Sequence, residues 1–149
     1  MQNKNRKISD DEYFTSPKLI HQHIKDLDPD ADFIDENAGI GNWLVEILNW
    51  KVDQGIEKSV ALSQIYGIEY QLDTCTTMVR RLYGEQVKVL EGKDMPKKYI
   101  GTKGLKAVFE LNGKIIDNIV CADCLNYRYT FGNEDNIGPD GNINPLFEF

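Results

Sequence analysis

Apolar positions along the chain alternate between helical and strand-like spacing. Ser16-Pro17 offers a capping hydroxyl followed by a proline suited to a first turn, and Leu19, Ile20, Ile24 and Leu27 follow at roughly helical spacing. This predicts a helix from Pro17 to about Leu27, ended by Asp28-Pro29-Asp30. Ala31 to Asp35 is a short buried strand, followed by a turn holding Gly39 and Gly41. A second helix starts near Asn42, with Trp43, Leu44, Ile47 and Leu48 on one face. Val52 to Ser63 is a loose stretch leading to a second strand, Ile65-Tyr66-Gly67-Ile68-Glu69. Cys75, Met78, Val79 and Leu82 then stand at i, i+3, i+4 and i+7, predicting a third helix from about Asp73 that Gly84 closes.

The following stretch is less regular until Ala107 to Leu111, Asn112-Gly113 and Lys114 to Ile116, which together predict a hairpin with a type I′ turn. Asp117 to Cys121 continues as a strand that ends at Ala122-Asp123. Strands alternating with helices predict an α/β domain with a parallel sheet and crossover helices. The division expected is a flexible polar N-terminus over residues 1–11, one domain over 12–131, and an irregular tail rich in Gly, Asn, Asp and Pro over 132–149.

Composition narrows the class. A chain of 149 residues suits one domain with a real core but is short for a complete nucleic-acid-modifying enzyme. It has no apolar run of membrane-spanning length and no secretory leader, and its three cysteines follow no disulfide framework, so a cytoplasmic protein is expected. The net charge of −7 argues against binding nucleic acid over the whole surface. Arg80 to Lys114 departs from that average: nine basic residues against four acidic ones make it +5 and the remainder −12. This segment is either a solvated, lysine-rich connection or a surface that meets DNA or an acidic partner.

Candidate chemistry concentrates where strands end. Ligands of open α/β sheets bind beyond the carboxyl ends of the strands, where the strand order reverses. The turn from Asp35 to Gly41, Glu69 and Asp123 all fall at such ends. Glycines let backbone approach a ligand closely, and a carboxylate at the end of the second strand can accept both hydroxyls of a ribose. A dinucleotide fingerprint would want a third glycine at Leu44, and the acid Glu69 lies 28 residues after Gly41 rather than about 20. No Gly-Lys-Ser/Thr follows the turn, which excludes a P-loop. A nucleoside fits these residues and a pyrophosphate does not. Glu69 and Asp123 could instead cap turns.

Other motifs carry less. Cys121-Ala122-Asp123-Cys124 lacks the second ligand pair of a zinc site, so no metal is expected. His21 and His23 are two apart on a helix and cannot chelate together. Trp43 and Trp50 read as packing, while Tyr127, Tyr129 and Phe131 alternate like one strand face.

Asp35-x-x-Ala38-Gly39-x-Gly41-Asn42-Trp43-Leu44 resembles the S-adenosylmethionine (SAM)-binding signature of adenine-specific (N6) DNA methyltransferases, a class I family. Three further segments match in order: Glu12-Tyr13-Phe14-Thr15-Ser16-Pro17, Gly67-Ile68-Glu69, and Ile119 to Leu125. The resemblance implies a Rossmann-like SAM-methyltransferase sheet with SAM as cofactor. Gly39, Gly41 and the adjoining Ala38 would line its amino-acid portion, with Phe14 and Thr15 closing over it. Asp35 would hold the methionine amino group directly or through water, Glu69 the ribose hydroxyls, and Asp123, beside Cys124, the adenine amino group. Tyr127, Tyr129 and Phe131 could flank that adenine.

The family also carries an Asn-Pro-Pro-Tyr/Phe motif after a fourth hydrophobic strand, which holds and stacks on a flipped adenine. This chain offers Asn144-Pro145-Leu146-Phe147, so the catalytic candidates are Asn144, Pro145 and Phe147, with leucine in place of the second proline. No hydrophobic strand is expected before them, because Gly138-Pro139-Asp140-Gly141 cannot hold a central strand. The sheet expected is therefore incomplete, with three core strands and a hairpin, shortened after the third SAM-binding element. The implied activity is adenine-N6 DNA methylation, by the enzyme or a shortened relative. The alternative is a non-catalytic SAM-fold module: a regulatory or partner subunit, or a decoy of methylation and restriction machinery. An uncovered sheet edge leads us to expect a homodimer or a partner subunit.

Overall fold

The computed structural model describes residues 16–127 and 143–145. Helix α1 (Pro17–Ile24) opens on the Ser16 hydroxyl, which accepts the Leu19 N–H at 3.1 Å, and ends a turn earlier than its apolar spacing suggests. Strand β1 (Asp32–Asp35), α2 (Asn42–Asp53), a short α3 (Lys58–Ser63), β2 (Ile65–Glu69) and α4 (Leu72–Tyr83) follow. Strands β3 (Lys88–Glu91), β4 (Leu105–Leu111), β5 (Lys114–Ala122) and β6 (Ile143–Pro145) complete a six-stranded sheet in the order β3-β4-β5-β2-β1-β6.

The fold is mixed α/β with an open sheet. Strands β5, β2, β1 and β6 run parallel, but β3, β4 and β5 form an antiparallel meander. The hairpin expected at Asn112-Gly113 joins β4 to β5, and both turn residues have the positive φ (52° and 80°) that a type I′ turn demands.

Four expectations need correction. Val52 to Ser63 is not loose: α2 runs through Asp53 and α3 occupies Lys58–Ser63, burying Ala61. The stretch before the hairpin contains β3, whose alternation is too brief to show a period in sequence but whose backbone pairs with β4. The sheet has six strands where three core strands and a hairpin were expected. Within residues 132–149, Ile143–Pro145 is not irregular but pairs in parallel with β1, Asn144 opposite Phe33 and Pro145 opposite Ile34. A proline is tolerated there because β6 is an edge strand of the described sheet, where an N–H facing away from β1 has no ladder partner to lose.

Both sheet faces are buried, by different means. Helices cover one face, where Phe33, Ile65, Ile119 and Cys121 meet Leu44, Ile47, Met78 and Val79. On the other, Ile34, Ile68, Val108 and Val120 are covered by Met95 and Tyr99, from the β3–β4 connection, and by Tyr127. Crossover helices therefore lie on one side only, and a strap with two single-turn 3₁₀ segments (Gly92–Asp94 and Lys97–Tyr99) takes their place on the other. Among the described residues no helix is long and apolar enough to cross a membrane.

Two buried polar residues pin the fold. Lys51 is fully enclosed, and its ammonium donates to Pro29 O (2.6 Å), Ala31 O (2.6 Å) and Gln64 Oε1 (2.9 Å) beneath β1. Burial lowers its pKa, opposed by the carboxylates of Asp32, Asp30 and Asp28. Asn118 sits where β5 jogs between its pairings with β4 and β2. Its amide donates to Leu62 O (2.8 Å) and Ile65 O (2.6 Å) and accepts from Tyr83 Oη (3.0 Å). Burial pushes the Tyr83 phenol up to about 12. A cleft of about 470 Å³ opens beside this jog, walled by Leu62, Tyr66, Tyr83 and Ile116. It lies at the amino ends of the parallel strands, away from the residues considered next.

Candidate functional site at the carboxyl edge of the sheet

The parallel strands all point their carboxyl ends at one edge, where Asp35, Glu69, Asp123 and the backbone of Pro145 arrive together. The chain runs from β1 to β2 and β5 on one side and to β6 on the other, so the strand order reverses between β1 and β6. Open α/β sheets bind their ligands beyond the carboxyl ends of the strands at such a reversal.

Asp35 ends β1 with 1% of its surface exposed. Its Oδ1 accepts the Asn37 N–H at 3.0 Å. Among the described residues the only ion pair is Lys25–Asp26, so none of them offers Asp35 a side-chain cation to offset its burial. Desolvation raises its pKa to about 7 against the smaller pull of the Asn37 N–H, and the carboxylates of Glu69 and Glu36 push the same way as desolvation.

The glycine turn is held from three sides. Ala38 donates to Ile68 O at 3.0 Å, which ties the turn to β2. Gly39 donates to Glu69 Oε1 at 2.8 Å, and Glu69 Oε2 accepts Gln71 N–H at 3.0 Å. Gly41, at the N-terminus of α2, has φ +89°, and a Cβ there would stand 2.7 Å from Met78 Cγ. It is glycine both for its backbone and because α4 packs against it. Glu69 is thus a brace for the turn as well as a candidate ligand group; a carboxylate has about four acceptor positions, so two remain.

Asp123 follows β5 directly. Its N–H donates to Gly104 O (2.8 Å), while its carboxylate accepts Leu125 N–H (3.0 Å) and Asn126 Nδ2 (2.7 Å). It caps the turn after it, as the simpler reading of the sequence allows, and only part of its acceptor capacity faces outward. Cys124 is half-buried; burial raises its thiol pKa, helped by the carboxylates of Glu36, Asp123 and Glu69. Four carboxylates (Asp35, Glu36, Glu69 and Asp123) therefore converge on one small region. Such a field disfavours phosphates and favours a ligand carrying positive charge.

Two residues here escaped the sequence reading. Arg81 Nη1 donates to Ile40 O and Asn42 Oδ1, both at 2.8 Å, clamping the glycine turn from α4. In the sequence it is one of nine basic residues, and nothing local distinguishes it. Tyr70, 56% exposed beside Glu69, carries Lys106 Nζ 4.0 Å from its ring centroid, with the same ammonium bonded to Tyr70 O at 2.8 Å.

The remaining candidates divide. Asn144 and Pro145 reach the same edge through the backbone of β6. Phe14, Thr15 and Phe147, together with Tyr129 and Phe131, lie outside the described residues, as do residues 1–11. Tyr127 is buried in the second core cluster. Trp50 packs edge-on against Phe33 (6.0 Å) and Trp43 against His23 (5.2 Å), so both tryptophans serve packing. No family model, curated protein or solved structure matches this chain.

Proposed function

We propose that the carboxyl edge binds SAM and that the chain is an adenine-N6 DNA methyltransferase or a shortened relative, working in the cytoplasm. The observation that carries this reading is Asp35: a desolvated carboxyl with no counter-cation among the described residues, beside a glycine turn braced by a second acid. Leaving such a group unpaired is costly, and a ligand that brings an ammonium offsets the cost. SAM fits because it carries a cationic amino-acid end, a ribose diol and an adenine, in a molecule without pyrophosphate.

On this reading Asp35 receives the amino group of the methionine portion. Glu69 accepts ribose hydroxyls with the lone pairs that Gly39 and Gln71 leave unused. The remaining acceptor capacity of Asp123 faces the adenine, with Ala38 and Cys124 adjoining. SAM supplies an electrophilic methyl group. The chain's task is to align an acceptor amine with that methyl and keep water out, which is catalysis by positioning. The backbone of Asn144 and Pro145 pairs with β1 on the side away from β2, and the resemblance gives Asn144 the role of holding the acceptor base. The order β5-β2-β1-β6, with all four strands parallel, supports the Rossmann-like reading of the sheet.

A second reading is a non-catalytic SAM-fold module acting with a partner, whether regulatory, decoy or subunit. It is favoured by the brevity of β6 (three residues) and by the leucine after Pro145. Edge strands β3 and β6 are where a second copy or a partner could extend the sheet. Calorimetric titration with SAM, followed by incubation with methyl-labelled SAM and unmodified duplex DNA, separates the readings. Binding with transfer is the expected result; binding without transfer selects the module, and absence of binding removes both.

A further inference from the structure

The structure divides the basic segment into groups with different work. Arg80 donates to Val87 O (3.2 Å) and Arg81 holds the glycine turn, so both arginines are engaged inside the fold. Lys88, opposite Glu110 in β4, and Lys114, at the hairpin turn, lie toward the amino edge. The other five lysines behave differently. Strand β3 leaves the sheet at Glu91 and β4 re-enters at Leu105, opposite Ala122, so the connection between them emerges at the carboxyl edge. Lys93, Lys97, Lys98 and Lys103 lie on that connection, and Lys106 immediately follows it.

Residues 92–106 hold these five lysines against the single acid Asp94, on a chain whose net charge is −7. All five side chains are exposed, and none enters an ion pair among the described residues. The strap is anchored by Met95 and Tyr99, which enter the second core cluster, rather than by ion pairs among the described residues. Two lysines are oriented by rings, Lys98 at 5.2 Å from the Tyr99 centroid and Lys106 at 4.0 Å from that of the exposed Tyr70. The strap also ends on the candidate site, since Gly104 O accepts the Asp123 N–H and Lys106 bonds Tyr70 O beside Glu69. A positive rim thus adjoins a cluster of carboxylates.

We infer that the lysine strap of residues 92–106 is the docking surface for the phosphodiester backbone of duplex DNA, which it holds beside the carboxyl-edge site. This inference deepens the proposed function and rests on it for the choice of DNA. A row of exposed, uncompensated cations matches a polymer that carries charge at regular, close intervals, and the binding free energy comes from counterions released by the phosphates. The carboxylates next to it repel those phosphates, so the backbone stays on the rim.

The test is fluorescence anisotropy of a labelled duplex with the full chain over a range of KCl concentrations. Wild type is compared with a strap variant (Lys93→Gln, Lys97→Gln, Lys98→Gln, Lys103→Gln) and an amino-edge control (Lys88→Gln, Lys114→Gln). With about 0.9 counterion released per contact, the strap variant should show a log–log salt slope shallower by roughly 3 to 4. Its affinity at low salt should fall at least about tenfold, with the control within about twofold of wild type. Circular dichroism and Tm of each variant should match wild type, because the altered side chains are exposed. Equal losses in both variants, an unchanged strap variant, or a wild type that does not bind duplex overturns the inference. So does displacement of the duplex by polyglutamate at equal charge concentration, which would assign the strap to an acidic polypeptide. SAM titration of the same proteins keeps the two proposals apart. Salt-dependent duplex binding through the strap, without SAM binding, sinks the proposed function and leaves the docking surface standing.

Discussion

Replacing Asp35 by Asn changes one oxygen to an amide nitrogen and keeps an acceptor for the Asn37 N–H. It removes the ionisation that burial opposes. Asp35 titrates near 7 in the folded chain against an ordinary value of 3.8. Because the folded-state pKa is the raised one, the native state holds its proton longer than the unfolded state. Stability therefore falls as pH rises from about 4 to about 7, then levels off. The difference between the two values corresponds to about 4 kcal/mol, an upper figure because the buried site can relax. Asp35→Asn lacks this loss. Its stability relative to wild type should grow by a few kcal/mol between pH 4 and pH 8, or roughly 10 °C in Tm. Denaturant unfolding at several pH values measures it. SAM binding should behave in the opposite sense. An ammonium beside Asp35 favours the carboxylate, so wild-type affinity should rise with pH up to about 7 and binding near pH 6.5 should release a proton. Calorimetry in buffers of different ionisation enthalpy detects that release, and the Asn variant should show neither effect. An Asn variant no more stable than wild type at pH 8, with an unchanged pH profile, would refute both the desolvation argument and the role given to this residue.

Arg81→Ala removes two hydrogen bonds to the glycine turn from an exposed side chain. SAM affinity should weaken about tenfold, as for the loss of a positioning contact, while Tm drops by no more than a few degrees. Lys51→Ala leaves Pro29 O, Ala31 O and the Gln64 amide without their donor and opens a cavity under β1. A destabilisation of about 3 kcal/mol or more is expected in urea titration, and Lys51→Met, which fills the space, should recover only part of it. At Gly67 a Cβ would lie 2.8 Å from Leu44 Cδ1 and 3.2 Å from Ile119 Cδ1, so Gly67→Ala should cost about 1–3 kcal/mol by forcing α2 away from β2. Leu44→Ala in the same chain should relieve part of that strain, which a double-mutant cycle reads directly.

Local chemistry by itself determined a good deal of this protein. Period and punctuation located α1, α2, α4, β1, β2 and the hairpin, because a helix cap such as Ser16-Pro17 or a turn pair such as Asn112-Gly113 acts within a few residues. The apolar run at Phe33-Ile34 marked β1 as a buried strand, whereas the burial of both sheet faces emerged only on folding. The acids Asp35, Glu69 and Asp123 were recognisable because each directly follows or ends such a run. What depends on distant partners was not legible. Strand β3 forms because β4 offers a backbone edge, and three residues around Asn144 become β6 because β1 offers another. The second face is covered by a lysine-bearing strap instead of a helix, which only Met95 and Tyr99 reveal, once folded. Arg81 looked like one cation among nine until α4 brought it beneath Ile40. Glu69 proved to be a brace as well as an acid, tied to Gly39 across 30 residues of chain. Tertiary structure decided these points because a hydrogen bond or an ion's desolvation depends on what lies within a few ångströms in space, whereas periodicity reports only what lies nearby along the chain.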